Sequence, residues 1–103
     1  MIYLGNAFSL QMLHLEHPVE VHVSPVTEEE IPSTAVSVVG HQDTANVVAD
    51  ILGFSVQFNR KSICLEEGDE LFVAQITGGR LPEGATTLPE GFTLKFFRVK
   101  VGT

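Results

Sequence analysis

The sequence predicts an α/β (α+β) fold: a single domain over residues 1–103, with a mixed central β-sheet flanked by short helices. Three observations carry this expectation. Short apolar segments with a two-residue period recur along the chain, as at Val19, Val21 and Val23. One segment, between Asp43 and Gly53, instead repeats at helical spacing between a capping residue and a terminating glycine. The length of 103 residues, 44% of them hydrophobic and 18% charged, suffices for one core but not for two.

Taken in order, Ile2 to Leu4 reads as a short buried strand ending at Gly5. Gly5 to Ser9 is a strand-to-helix turn, with Ser9 as N-cap of a short helix through Leu13, and Pro18 closes that unit. Val19, Val21 and Val23 alternate with Glu20, His22 and Ser24, the pattern of a half-exposed strand. Thr27 before Glu28, Glu29 and Glu30 suits one helical turn with acids at its positive end, limited by Pro32. Ala35 to Val39 is a second buried strand, broken by Gly40. Asp43 caps a helix from Thr44 to Leu52, with Gly53 just beyond it and Ala45, Val48, Ala49 and Leu52 as its buried stripe. Phe54 to Leu65 alternates again and is expected to be a strand, followed by the turn Glu66-Glu67-Gly68-Asp69. Glu70 to Ile76 is a further strand, nearly continuously apolar at its centre. Thr77 to Gly91 contains Gly78, Gly79 and Gly84 with Pro82 and Pro89 and reads as a long loop, after which Thr93 to Val101 is the closing strand.

Composition excludes several functions. A formal net charge of −7 argues against broad, salt-driven binding to DNA or RNA, which needs a basic face. Any phosphate ligand must therefore be held by a few local cations and backbone N–H groups. Six Lys and Arg are available: Arg60, Lys61 and Arg80 in the middle, and Lys95, Arg98 and Lys100 on the last strand. No apolar run approaches the roughly 18 residues that span a bilayer. The single cysteine, Cys64, excludes an intrachain disulfide and a multi-cysteine zinc site. Met1 to Leu4 lacks the basic start of a signal peptide, so a cytoplasmic location is expected, without membrane or DNA partners.

Among residues able to do chemistry, His41 is the sharpest. It follows a buried strand and a glycine and precedes a helix start, where unpaired N–H groups and the helix dipole favour phosphate. An imidazole there can exchange a proton near neutral pH, or simply cap the turn. His14, His17 and His22 lie among alternating or loop residues with no partner at useful spacing, and no cluster completes a metal site around His41 and Asp43. No metal or cofactor is expected. Arg60 and Lys61, on the strand expected there, face opposite sides, and one of them reaches a phosphate or both are solvated. In Gly78-Gly79-Arg80-Leu81-Pro82-Glu83 the glycines permit close backbone approach, Arg80 offers a planar fork for phosphate, and Glu83 can orient a histidine or pair with Arg80. Asn6, Ser9 and Gln75 are polar residues beside apolar segments, able to hydrogen-bond a base or ribose or to satisfy local backbone.

The opening Tyr3-Leu4-Gly5-Asn6-Ala7-Phe8-Ser9-Leu10-Gln11-Met12-Leu13 resembles the start of the viral ring nucleases that act as type III anti-CRISPR proteins, a family with cellular members associated with CRISPR loci. The resemblance continues through Gly40-His41-Gln42-Asp43-Thr44, Asn59-Arg60, Ala74-Gln75-Ile76 and Arg80-Leu81-Pro82-Glu83-Gly84, in the family's order. It departs between Thr86 and Phe92, where relatives often carry a longer acidic helix. The resemblance implies a cytoplasmic homodimer that encloses cyclic tetra-adenylate at its interface. It implies metal-independent linearisation of that ring, which switches off type III CRISPR signalling. By the same resemblance His41 is catalytic, Arg80 and Glu83 support the reaction, and Asn6, Ser9, Thr44, Arg60 and Gln75 hold the ligand. The competing expectation is a protein that sequesters a cyclic nucleotide without cutting it; a regulatory protein that offers an exposed strand to protein partners is the third.

Overall fold

Residues 1–102 are described by a computed structural model. The elements are β1 (Ile2–Gly5), β2 (Val21–Val26), β3 (Val36–Ser37), α1 (Gln42–Leu52), β4 (Glu70–Thr77) and β5 (Thr93–Val101), with single 3-10 turns at Leu10–Met12 and Glu28–Glu30. The strands form one mixed five-stranded sheet in the order β2-β5-β4-β1-β3. β1 runs parallel to both β3 and β4, while β5 runs antiparallel to β4 and β2. The expected α+β class is the one observed, a mixed sheet with one α-helix and short helical turns.

The apolar run of β4 has a simple cause: both faces of this strand are covered. Phe72 and Ala74 point into a core with Leu4, Val39, Ala45, Val48 and Phe96, on the side where α1 packs. Leu71 and Val73 point into a second core with Val38, Leu65, Val99 and Val101, roofed by Phe8, Met12, Leu13 and Ile63 from the connecting segments. Alternation along β4 therefore separates two apolar layers rather than core from solvent. β2 is an edge strand, exposed at every position from His22 to Pro25, so Val23 lies open where the alternation predicted a covered face.

Several expectations need correction. Phe54 to Leu65 forms no strand; only isolated bridges join Phe58 to Val39 and Leu65 to Leu13. Side chains replace the ladder here. The Ser37 hydroxyl donates to Gln57 O at 2.6 Å and Asn59 Nδ2 donates to Ser37 O at 2.9 Å. The regular part of the Ala35–Val39 strand is only Val36–Ser37. α1 starts two residues earlier than expected, with His41 rather than Asp43 as N-cap, and Val47 is buried in it alongside Ala45 and Val48. Ser9 does precede the first 3-10 turn, but its side chain makes no capping bond. The turn at Glu28–Glu30 forms as expected, and the Glu30 carboxylate accepts the Thr27 backbone N–H at 2.6 Å.

Candidate functional site

Three mutually parallel strands, β3, β1 and β4, end on the same edge of the sheet. The carboxyl ends of parallel strands are where ligands settle in such sheets, because the chain there turns away and leaves a crevice. Asn6 follows β1, Gly40 and His41 lie just beyond β3, and Gly79 and Arg80 follow β4. All of them except Gly40 line one open cleft of about 300 Å³, together with Asp43, Thr44, Ala74, Ile76 and Leu81. The two strand-to-helix turns singled out in the sequence are joined directly: Gly40 N–H donates to Asn6 Oδ1 at 3.2 Å. That bond fixes the Asn6 amide and leaves its Nδ2 amino group without a protein partner among the described residues.

His41 is exposed, in extended conformation (φ −139°, ψ 133°), and its carbonyl accepts the Ala45 N–H at 3.0 Å. The backbone N–H groups of Gln42, Asp43 and Thr44 are consequently the orphan donors of the helix start, beside an imidazole without a hydrogen bond or ion pair among the described residues. This is a setting for an anion and a proton donor side by side.

A second open cleft, about 430 Å³, adjoins the first and shares Asn6 and His41 with it. Arg60, Lys61 and Ser62 line it. Arg60 and Lys61 thus border one crevice instead of facing opposite sides, because the segment carrying them is irregular and strand alternation does not apply. A third, about 330 Å³, holds Gln75 with Asn6, Phe8, Val23 and Phe97 on the second-core side of the sheet. Asn6 borders all three.

The structure therefore brings Asn6, His41, Thr44 and Arg80 together, sets Arg60 next door, and places Gln75 around Asn6 on the opposite face. Ser9 and Glu83 are exposed and lie outside the lining of these clefts. Among the described residues the ion pairs are Met1 with Asp69, His14 with Glu66 and Arg98 with Glu70, so Glu83 is paired with neither Arg80 nor His41. His14, read as partnerless in the sequence, sits 3.0 Å from Glu66. Among the described residues no group of three His, Cys, Asp or Glu side chains is arranged to hold a metal ion.

Two residues of the clefts have places that the sequence reading did not give them. Lys61 joins Arg60 at the second cleft. Asp43, read as a cap, lines the main cleft and accepts the Gly84 N–H at 3.1 Å through Oδ1. An acid in the first helical turn was visible; its partner, 41 residues away, was not.

Comparison with known proteins gives a consistent picture. The STIV B116-like family model matches residues 2–94. The uncharacterized protein ORF116 of Acidianus filamentous virus 1 (isolate United States/Yellowstone) is similar at 31% identity over 102 residues, covering 91% of this chain and 84% of its own. Among solved structures, B116 of Sulfolobus turreted icosahedral virus superposes with a TM-score of 0.77 at 28% identity, over 96% of this chain and 97% of that one. Both relatives are viral proteins, and the similarity spans most of each chain. No helix among the described residues is long and apolar enough to cross a membrane.

Proposed function

The chain belongs to the STIV B116-like family, and from the cleft at its sheet edge we propose that it is a metal-independent ring nuclease, a homodimer that linearises cyclic tetra-adenylate. The observation that carries this reading is the meeting of His41, Arg80, Asn6 and Thr44 at the start of α1, where three parallel strands end. Anion donors, a proton-transfer group and a planar cation stand together there, which is the equipment phosphodiester cleavage requires.

The substrate supplies the nucleophile. A ribose 2′-hydroxyl attacks the adjacent phosphorus in line, forming a 2′,3′-cyclic phosphate, while the bond to the 5′-oxygen breaks. His41 gives a proton to that departing oxygen as general acid, and the 2′-hydroxyl proton leaves to water. Arg80 and the N–H groups at the start of α1 stabilise the charge gathering on the phosphate. Glu83, on the exposed turn that follows Arg80, supports the reaction. Asn6, Ser9, Thr44, Arg60 and Gln75 hold the ring. A two-fold dimer presents two His41 side chains to a ring of matching symmetry, so opposed bonds are cut and the product is linear di-adenylate with 2′,3′-cyclic phosphate ends. A virus-encoded enzyme of this kind switches off type III CRISPR signalling.

Incubation with labelled cyclic tetra-adenylate in EDTA tests the proposal, with conversion to the linear product expected. A ring that is bound but intact after long incubation overturns it in favour of sequestration. A His41→Ala variant that cleaves at the wild-type rate overturns the role given to His41. No heat of binding in a calorimetric titration removes the ligand altogether.

A further inference from the structure

Asp43 raises a physical question. Its carboxylate lines the cleft shared by His41 and Arg80, where negative charge opposes an anionic ligand, and it does not cap α1. Its contact is with the loop between β4 and β5. Oδ1 accepts the Gly84 N–H at 3.1 Å, and one turn along the same helix face Asn46 Nδ2 donates to Ala85 O at 3.4 Å. Gln42 Nε2 donates to Asn46 Oδ1 at 2.9 Å and so orients that amide. The segment held in this way is a tight turn, closed by Ala85 N–H to Pro82 O at 3.1 Å.

The other end of the loop is fixed at its neck. Gly78 lies against Gly91 and Phe92 so closely that a Cβ on it would stand 2.9 Å from Gly91 O and from Phe92 Cα. Arg80 lies between the neck and the turn held by α1. Arg80, which lines the cleft, thus sits on a strap with two attachments.

We propose that Asp43 is a positioning residue: through the Gly84 N–H it latches this strap to α1 and keeps Arg80 over the cleft that His41 borders. The effect on catalysis rests on the ring-nuclease reading; the latch itself does not. The unfavourable charge is the cost of a strong acceptor at this point, since a hydrogen bond to a carboxylate outweighs one to a neutral group.

Hydrogen exchange read by mass spectrometry on the full chain, for wild type, Asp43→Ala, Asp43→Asn and Asn46→Ala, tests it. Asparagine keeps a carbonyl acceptor without the charge. Peptides within residues 78–91 should exchange about tenfold faster in Asp43→Ala, with β1, β4 and β5 unaltered, because only local opening is released. Asn46→Ala should give a smaller rise in the same peptides, and Asp43→Asn should restore only part of the protection. In single-turnover cleavage of cyclic tetra-adenylate, the Asp43→Ala rate constant should fall about tenfold at saturating protein, and Asp43→Asn should recover part of it. Loop exchange in Asp43→Ala equal to wild type, or a rise spread equally over the sheet, overturns the latch. A wild-type chain that leaves the ring intact overturns the proposed function instead, and the exchange measurement still decides the latch.

Discussion

Asp69 is the one buried charged residue of the described chain, 8% exposed, at the turn before β4. Burial disfavours its ionised form, but the Glu66 N–H at 2.9 Å and the Met1 ammonium at 3.0 Å more than offset this, and its carboxyl lies below the usual range. Asp69→Ala leaves a backbone N–H without its partner and should cost about 1–3 kcal/mol, measured by denaturant unfolding at pH 7. Because the folded value is the lower one, the unfolded chain takes the proton first. The contribution of Asp69 is complete above the ordinary aspartate value of about 4 and is lost as pH falls through the folded value. The variant should therefore lose less stability than wild type on acidification across that window; parallel pH profiles would contradict the assignment. Single residues were legible in the sequence where their role is local. His41 stands after a strand and before a helix in any register, whereas the contact of Asp43 with Gly84 depends on where a loop returns in space.

Elements were legible where burial imposes a pattern. α1 and β5 bury side chains at intervals and β1 and β4 bury a continuous run, and the bounds of all four fall within about two residues of those expected. Phe54 to Leu65 carries the same alternation, with Val56 and Leu65 buried, yet Asn59 and Ser37 take the hydrogen bonds that a ladder would use. Periodicity reports which side chains are buried, not which groups pair with the backbone, so an irregular segment against β3 looked like a strand. The β4–β5 loop was read correctly as a loop, and its glycines now separate by role. Gly78 (φ +120°) has backbone atoms in the place of a Cβ, while Gly84 (φ +80°) has nothing within 4 Å. Gly84→Ala should cost only the left-handed conformation, about 1 kcal/mol. Gly78→Ala adds displacement of Gly91 and Phe92 and should cost about 2–3 kcal/mol, so its melting temperature should fall clearly further. Equal losses in the two variants would mean that the neck yields without resistance.

At the scale of the molecule, the charge distribution decides how a polyanion reaches this site. The chain carries −7, yet Arg60, Lys61 and Arg80, half of its Lys and Arg, border the two clefts that meet at His41. The acidic remainder repels an approaching nucleotide, and local cations and helix N–H groups supply the attraction. Both terms are screened over about 10 Å at 0.1 M salt, so they oppose each other in the salt dependence of binding. A basic groove contacting eight phosphates of single-stranded nucleic acid would lose affinity with a log–log slope near about −6. A ring of four phosphates can release far fewer counterions, and repulsion from the rest of the protein relaxes as salt rises, so the slope here should be shallower than about −3. Calorimetric titration of cyclic tetra-adenylate into His41→Ala, which holds the ring uncut under the proposed mechanism, measures this from low to physiological salt. Arg80→Ala and Lys61→Ala, each added to that background, should weaken binding and flatten the slope by about 1. Lys95→Ala, on β5 away from these clefts, should leave the slope unchanged. A slope as steep as that of a basic groove, or one that responds equally to Lys95, would place the ligand on a broad surface field rather than at the edge where β1, β3 and β4 end.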